Sequence, residues 1–273
     1  MARRVARLTT MRGSDMGRFD HHTVLVTGGT GGQGTSHVRA YHAEGAQVVI
    51  GDIAGDRGRA LAAELGEGAF SVQLDVTSEQ SWQAAVEAAE ERFGPLNILV
   101  NNAGVQNPAA PIENTDRRVW ERALEINLTG SFLGIRAVTP SMRRAGGGVI
   151  INIASTSGIG GTALYAPYVV SKWGLRGLTK TAALELGRDN IRVNAIHPGV
   201  IATPFITEPA AGSDAPISDF YSPEPSPSPV WANRPTSPGP AVPQLGRASF
   251  TTGAEFVIDG GLLLGPALKH AAA

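Results

Sequence analysis

The 273-residue chain contains no cysteine, which excludes disulfides, thiolate nucleophiles and cysteine-ligated zinc or iron–sulfur centres. A chain without thiols suits a reducing compartment, so a cytoplasmic location is expected. Charge is also scarce: Asp, Glu, Lys and Arg make up 17% of residues and the formal net charge is −1, against about 25% charged residues in an average globular protein. So small a basic content gives nucleic acid no surface to bind, and none is expected as a partner. No run of about eighteen apolar residues occurs, so no membrane partner is expected either. His21 and His22 do not fall at a metal-ligand spacing with any other pair, and no metal is expected. What the chain has in excess is glycine, 34 residues gathered mostly in short clusters. Clustered glycine marks backbone that turns tightly or lets a ligand approach closely.

From Thr23 onward short β-branched runs alternate with helical stretches. The runs Thr23 to Val26, Gln47 to Asp52, Phe70 to Val76, Leu96 to Asn101, Gly148 to Ala154 and Ile191 to Ile196 read as strands buried on both faces. Helices are expected over Gln33 to Glu44, Asp56 to Leu65, Glu79 to Phe93, Asp116 to Arg144 and Tyr165 to Gly187, and a last strand over Glu255 to Ile258. Strict alternation implies an α/β fold, a doubly wound parallel sheet of the Rossmann type in one domain spanning 21–273. Residues 1–20 are expected to form a disordered extension. Their arginine-rich, acid-poor composition also suits an organelle transit segment, but Met11 and Met16 offer later starts and the extension is favoured. Residues 209–247 form an irregular segment in which the density of proline argues against any helix or central strand.

Four features carry chemistry. Thr27-Gly28-Gly29-Thr30-Gly31-Gly32-Gln33-Gly34 follows the first strand and opens the first helix, where outward-facing N–H groups and the helix dipole suit a pyrophosphate. The second strand ends in Asp52, 24 residues after Gly28, where a carboxylate accepts hydrogen bonds from ribose hydroxyls and repels a 2′-phosphate. NAD is therefore favoured over NADP, with Arg57 and Arg59 as the cations that argue the other way. Asp75 ends the third strand, suited to an adenine amino group or to capping the next helix, and Asn102-Ala103-Gly104 ends the fourth with small residues a flat ligand can lie across.

Finally, Tyr168 and Lys172 stand four residues apart on a helix, so both project from one face. At about 4 Å and an effective dielectric near 20, an ammonium favours a phenolate by roughly 4 kcal/mol, or about three pKa units. That shift brings the tyrosine toward neutrality, where acid–base catalysis is most efficient. Ser155, thirteen residues before Tyr168, offers a hydroxyl to a substrate oxygen, with Thr156 and Ser157 as close competitors. No serine elbow surrounds it, which argues against a hydrolase.

These motifs together resemble the short-chain dehydrogenase/reductase family, over about Thr23 to Phe205 and again Ser249 to Gly261. The stretches Ser171 to Thr179 and Thr252 to Phe256 are similar to bacterial hydroxysteroid dehydrogenases. The resemblance implies a catalytic tetrad of Asn127, Ser155, Tyr168 and Lys172. Tyr168 would exchange a proton with the substrate oxygen, Ser155 hydrogen-bond that oxygen, Lys172 lower the tyrosine pKa and hold the nicotinamide ribose, and Asn127 position a relay water. It also implies cofactor contacts from Gly28, Thr30, Gly31, Gly32, Gln33, Gly34, Asp52, Asp75, Val76, Asn102, Ala103, Gly104, Tyr168 and Lys172. Pro198, Gly199, Ile201 and Thr203 match the family's Pro-Gly element beside the nicotinamide. The activity implied is interconversion of a small-molecule secondary alcohol and its ketone with NAD, in a homo-oligomer, a tetramer built through the two long helices.

One departure stands out. The helix that family members carry before the last strand is expected to be missing here, leaving that strand poorly docked. The alternative function this raises is a dinucleotide-binding protein without turnover.

Overall fold

The computed structural model describes residues 17–210 and 249–264, together with 212, 213, 215, 216, 219, 242 and 246. Expectations for residues 1–16 and for most of 209–247 lie outside the described residues.

Among the described residues seven parallel strands make one sheet: β1 (Thr23–Thr27), β2 (Gln47–Asp52), β3 (Ala69–Gln73), β4 (Ile98–Asn101), β5 (Gly148–Ile153), β6 (Ile191–Pro198) and β7 (Glu255–Ile258). Their spatial order is β3-β2-β1-β4-β5-β6-β7. The chain leaves β1 toward one edge and from β4 runs toward the other, so a crevice opens beyond the carboxyl ends of β1 and β4. The helices are α1 (Gly32–Ala43), α2 (Gly55–Leu65), α3 (Glu79–Phe93), α4 (Arg117–Leu124), α5 (Gly130–Arg144), α6 (Ala166–Leu186) and the short α7 (Pro204–Thr207).

Side chains alternate across each strand, so the sheet builds two cores. Leu25, Val49, Leu99, Ile150 and Val193 point to one face and pack with Trp82 of α3, Val138 and Met142 of α5, and Leu186 of α6. Val24, Val26, Val48, Ile50, Val100 and Ile151 point to the other and pack with Val38 and Tyr41 of α1 and with Phe19 and Val242. Every residue of β1 is buried, which explains why its sequence is apolar throughout rather than alternating.

Four boundaries differ from expectation. Residues 17–20 belong to the fold: Phe19 is 1% exposed and its N–H donates to Glu44 O. β3 stops at Gln73 because Asp75 turns the chain, its Oδ1 accepting from Thr77 N (3.0 Å) and Thr77 Oγ1 (2.8 Å). The helix expected over Asp116 to Arg144 is two helices joined by a π-helical turn at Glu125–Thr129. In the proline-rich segment Val242 and Gly246 are helical, and Tyr41 donates to Val242 O at 3.3 Å. β7 is docked, in parallel register with β6 from Ala195↔Glu255 to Pro198↔Ile258.

Candidate active site

The glycine turn sits close to the ends of β1 and β4 because its glycines carry no side chains. Gly28 adopts φ +60, and a Cβ there would lie 2.9 Å from Ala103 Cα. A Cβ on Gly34 would lie 2.0 Å from Gly28 O, so only glycine lets α1 start this close to β1. Gly31, by contrast, would place its Cβ in nearly open space, 3.4 Å from Gly28 O. Thr203, just before α7, stands over the turn, where a Cβ on Gly32 would meet its Cγ2 at 2.7 Å. Thr27 and Asn102 join the two strand ends: Thr27 Oγ1 accepts from Asn102 N and Ala103 N at 3.0 Å, and Asn102 Nδ2 donates to Thr27 O and Gly28 O.

Asp52, at the end of β2, accepts from Thr30 N (2.9 Å), Thr30 Oγ1 (2.7 Å) and Ala54 N (2.9 Å), which fixes its carboxylate beside the glycine turn. Arg57 donates to Thr30 O at 2.7 Å, and Arg59 pairs with Asp56. Asp75 lines a cleft of about 360 Å³ with Ile53, Thr77, Glu121, Arg122, Glu125 and Ile126. The cap of α3 is Ser78 and not Asp75, whose Oδ1 is held by Thr77 at the edge of that cleft. Val76 does not reach it with its side chain, which is 8% exposed and packs beneath Gly130.

At the carboxyl end of β5 the sequence-expected pair is assembled. Lys172 Nζ lies 5.6 Å from the centroid of the Tyr168 ring, and the Ser155 side chain is the neighbour that pulls the pKa of the Tyr168 hydroxyl down. Lys172 is 4% exposed and donates to Ile153 O at 2.8 Å. The expected lowering of the Tyr168 pKa is not found. Part of the residue remains accessible, yet desolvation of the hydroxyl pushes it up to about 12, Ser155 pulling the other way. Burial likewise brings Lys172 down to about 8. The ammonium is turned to the Ile153 carbonyl and is itself desolvated, so it does not draw the phenol down in the free chain. At neutral pH the phenol is protonated and is a donor.

Asn127 lies in the π-helical turn, fully buried. Its Nδ2 donates to Val105 O and Ser171 Oγ, both at 3.0 Å, and its Oδ1 accepts from Val105 N at 2.8 Å. Both amide hydrogens are thus engaged. The side chain pins the loop after β4 to α6, with Gly104 wedged between Asn127 and Lys172. π-turns of this kind recur at functional positions because the widened turn redirects a side chain. Pro198, Gly199, Ile201 and Thr203 continue from β6, and Gly199 packs where a Cβ would lie 2.8 Å from Asp259 Cα.

Two contributors escaped the sequence reading. Asn107 Oδ1 accepts from Tyr168 N at 3.2 Å and so fixes the first turn of α6; its only signal was an Asn-Pro turn dipeptide. Phe205 of α7 covers Tyr168 with ring centroids 6.0 Å apart, and Gln106 Nε2 donates to Phe205 O at 2.6 Å. Nothing local in the sequence predicts a contact across 99 residues.

The arrangement offers a phosphate cradle at one end of the crevice and, at the other, a proton donor and acceptor beside a buried cation. Residues 22–212 match the family model described as short chain dehydrogenase. The chain is 46% identical to 3-alpha-(or 20-beta)-hydroxysteroid dehydrogenase of Mycobacterium bovis, over 91% of this chain and 92% of that one. It is 42% identical to trans-4-hydroxycyclohexanecarboxylate dehydrogenase of Sinomonas cyclohexanicum, over 93% and 97%. Among solved structures, the 3-ketoacyl-(acyl-carrier-protein) reductase of Brucella melitensis complexed with NADH is similar, with TM-score 0.79 and 30% identity over 89% of this chain and 98% of that one.

Proposed function

The chain belongs to the short chain dehydrogenase family and is an oxidoreductase acting on CH–OH groups with a nicotinamide dinucleotide; on that premise we propose that it interconverts a secondary alcohol and a ketone with NAD, on hydroxysteroids or smaller alicyclic alcohols. The observation that carries the reading is the buried Lys172 ammonium 5.6 Å from the Tyr168 ring, at the carboxyl end of β5 beside Ser155. The cofactor supplies the hydride acceptor and donor when bound. Gly28, Gly31, Gly32 and Gly34 leave backbone room for its pyrophosphate, with Thr30, Gln33 and Thr203 beside it. Asp52 is oriented for the adenosine ribose, and Asp75 faces the cleft suited to adenine. Asn102, Ala103, Gly104, Pro198, Gly199 and Ile201 border the nicotinamide end. NAD is favoured because Asp52 presents a carboxylate where a 2′-phosphate would stand.

In ketone reduction Tyr168 donates its proton to the substrate oxygen, while Ser155 hydrogen-bonds that oxygen and holds it in line. In alcohol oxidation the phenolate form accepts the proton. Lys172 keeps a positive charge beside the ring at neutral pH and would hold the nicotinamide ribose of a bound cofactor, and Asn127 fixes the Gly104–Val105 backbone against α6. Phe205 supplies an apolar wall over Tyr168, which suits the hydrocarbon ring of a substrate. The kinship with a hydroxysteroid dehydrogenase and a hydroxycyclohexanecarboxylate dehydrogenase supports a cyclic alcohol.

Assembly into a homo-oligomer is part of this proposal. Phe132 of α5 and Val170, Trp173 and Leu184 of α6 expose apolar surface along the two long helices. Light scattering of the purified chain tests it, with a tetramer expected.

The activity is tested by following cofactor reduction with NAD against a 3α-hydroxysteroid, a 20β-hydroxysteroid and trans-4-hydroxycyclohexanecarboxylate, with Tyr168→Phe as control. Turnover on at least one alcohol, lost in the variant, is expected. Tight NAD binding with no alcohol turned over would leave a dinucleotide-binding protein instead.

A further inference from the structure

The Ser155 hydroxyl sits on a tight turn, and the turn is held from behind by groups the mechanism does not use. His197, at the end of β6, is fully buried, and its Nδ1 lies 2.8 Å from Ser155 O. A carbonyl oxygen only accepts, so Nδ1 carries the proton and donates. The same carbonyl accepts from Gly158 N at 2.9 Å, which closes the turn. Gly158, at the far end, has its own carbonyl taken by Arg176 Nη1 at 2.8 Å. Arg176 is fixed in turn by Glu255, the first residue of β7, which accepts from its Nε and Nη2 and from Lys180 Nζ at 2.9 Å. His197 Nε2 has no hydrogen-bond partner and stands 3.5 Å from the same Glu255 carboxylate, whose charge the two cations offset. At the Gly158 end the turn also packs closely on α6, since a Cβ on Gly158 would lie 2.9 Å from Lys172 O.

We propose that His197 and the Glu255–Arg176 pair are positioning residues for Ser155, holding the two ends of its turn by hydrogen bonds to the Ser155 and Gly158 carbonyl oxygens. The docking of β7 is thereby coupled to the site, because Glu255 reaches the Ser155 turn only when β7 is paired with β6. A neutral imidazole suffices for the bond to Ser155, and burial keeps His197 below its ordinary pKa. The proposal rests on the reading of Ser155 as the hydroxyl that faces the substrate.

Two measurements on the full chain test it, one independent of any substrate. Amide hydrogen exchange over residues 155–160 is expected to rise about fivefold or more in His197→Leu and to stay near the parent rate in His197→Asn, whose side-chain amide still donates to Ser155 O. Unchanged exchange in His197→Leu would overturn the clamp. The second is a double-mutant cycle with NAD and whichever of trans-4-hydroxycyclohexanecarboxylate or the 3α-hydroxysteroid turns over faster. His197→Leu is expected to lower kcat about tenfold when Ser155 is present and less than about twofold in Ser155→Ala, because it acts through that hydroxyl. Equal losses in both backgrounds would show general structural damage and contradict the proposal. Where His197→Leu does not fold, Glu255→Ala, which removes the acceptor that fixes Arg176, replaces it in both arms with the same expectations. Altered exchange without turnover of either alcohol would keep the clamp and defeat the functional reading instead.

Discussion

The glycine turn and the Tyr168 corner face the same crevice, yet they are built on opposite principles. At the turn, function comes from missing atoms: Gly28 and Gly34 leave no room for a Cβ, and the polar groups around them, Asp52, Asn102 and Thr27, are satisfied by short hydrogen bonds. At the corner, function comes from atoms whose burial is costly. Tyr168 is pushed up to about 12 and Lys172 brought down to about 8, both by desolvation. The first region therefore gains stability from the features that suit it to a ligand, whereas the second gives stability up.

Substitutions can break or sharpen that contrast. The largest effect is expected for Tyr168→Phe, which removes the proton donor and should lower kcat about 10³-fold while NAD affinity is retained, as steady-state kinetics and a cofactor titration would show. Gly34→Ala comes next. Its Cβ would meet a backbone oxygen at 2.0 Å, and denaturant unfolding should show a loss of about 3 kcal/mol together with loss of NAD binding. Gly31→Ala is the control within the same turn: stability should change by less than about 0.5 kcal/mol, because its Cβ meets only Gly28 O at 3.4 Å, while NAD binding weakens.

Lys172→Met should move activity and stability in opposite directions. Turnover should be lost, yet the free chain at neutral pH should gain about 1–3 kcal/mol, since a desolvated cation is replaced by an apolar chain of similar length. The sign follows from the lowered pKa. At neutral pH the lysine is charged in both folded and unfolded chains and only the folded one bears the desolvation cost. The gain should therefore shrink as pH rises from about 8 to the ordinary lysine value, where neither form is charged. Thermal melts of both proteins across that range check it. Asp52→Asn is expected to act on cofactor choice and should reduce the preference for NAD over NADP about tenfold in kcat/KM, Arg57 standing ready at Thr30.

How much of this was legible in the sequence follows the same division. The strands, their parallel order and the glycine turn are local patterns: apolar runs of strand length, a Gly cluster between strand and helix, and an acid at the next strand end. Tyr168 and Lys172 were legible because four residues on a helix make one face. Local reading failed where the cause was remote. The break in the long helix at Glu125–Thr129 is tied to bonds from Asn127 to Val105 and Ser171, on other elements. The ordering of residues 17–20 depends on Phe19 packing against Tyr41, and the cover over Tyr168 depends on Gln106 holding Phe205. The pKa of Tyr168 is not legible from spacing for a related reason. Sequence spacing reveals that a cation is near, but the competing desolvation depends on everything else packed around the hydroxyl.

The central claim is that Tyr168 is the group that takes up and releases the substrate's proton, and the pH dependence of alcohol oxidation tests it most directly. Because its pKa lies above the ordinary value, the phenolate population grows as pH rises, and kcat/KM should climb from neutral into alkaline solution in the parent chain. In Tyr168→Phe that climb should vanish along with most of the rate. A variant that keeps the same climb would place the proton acceptor elsewhere.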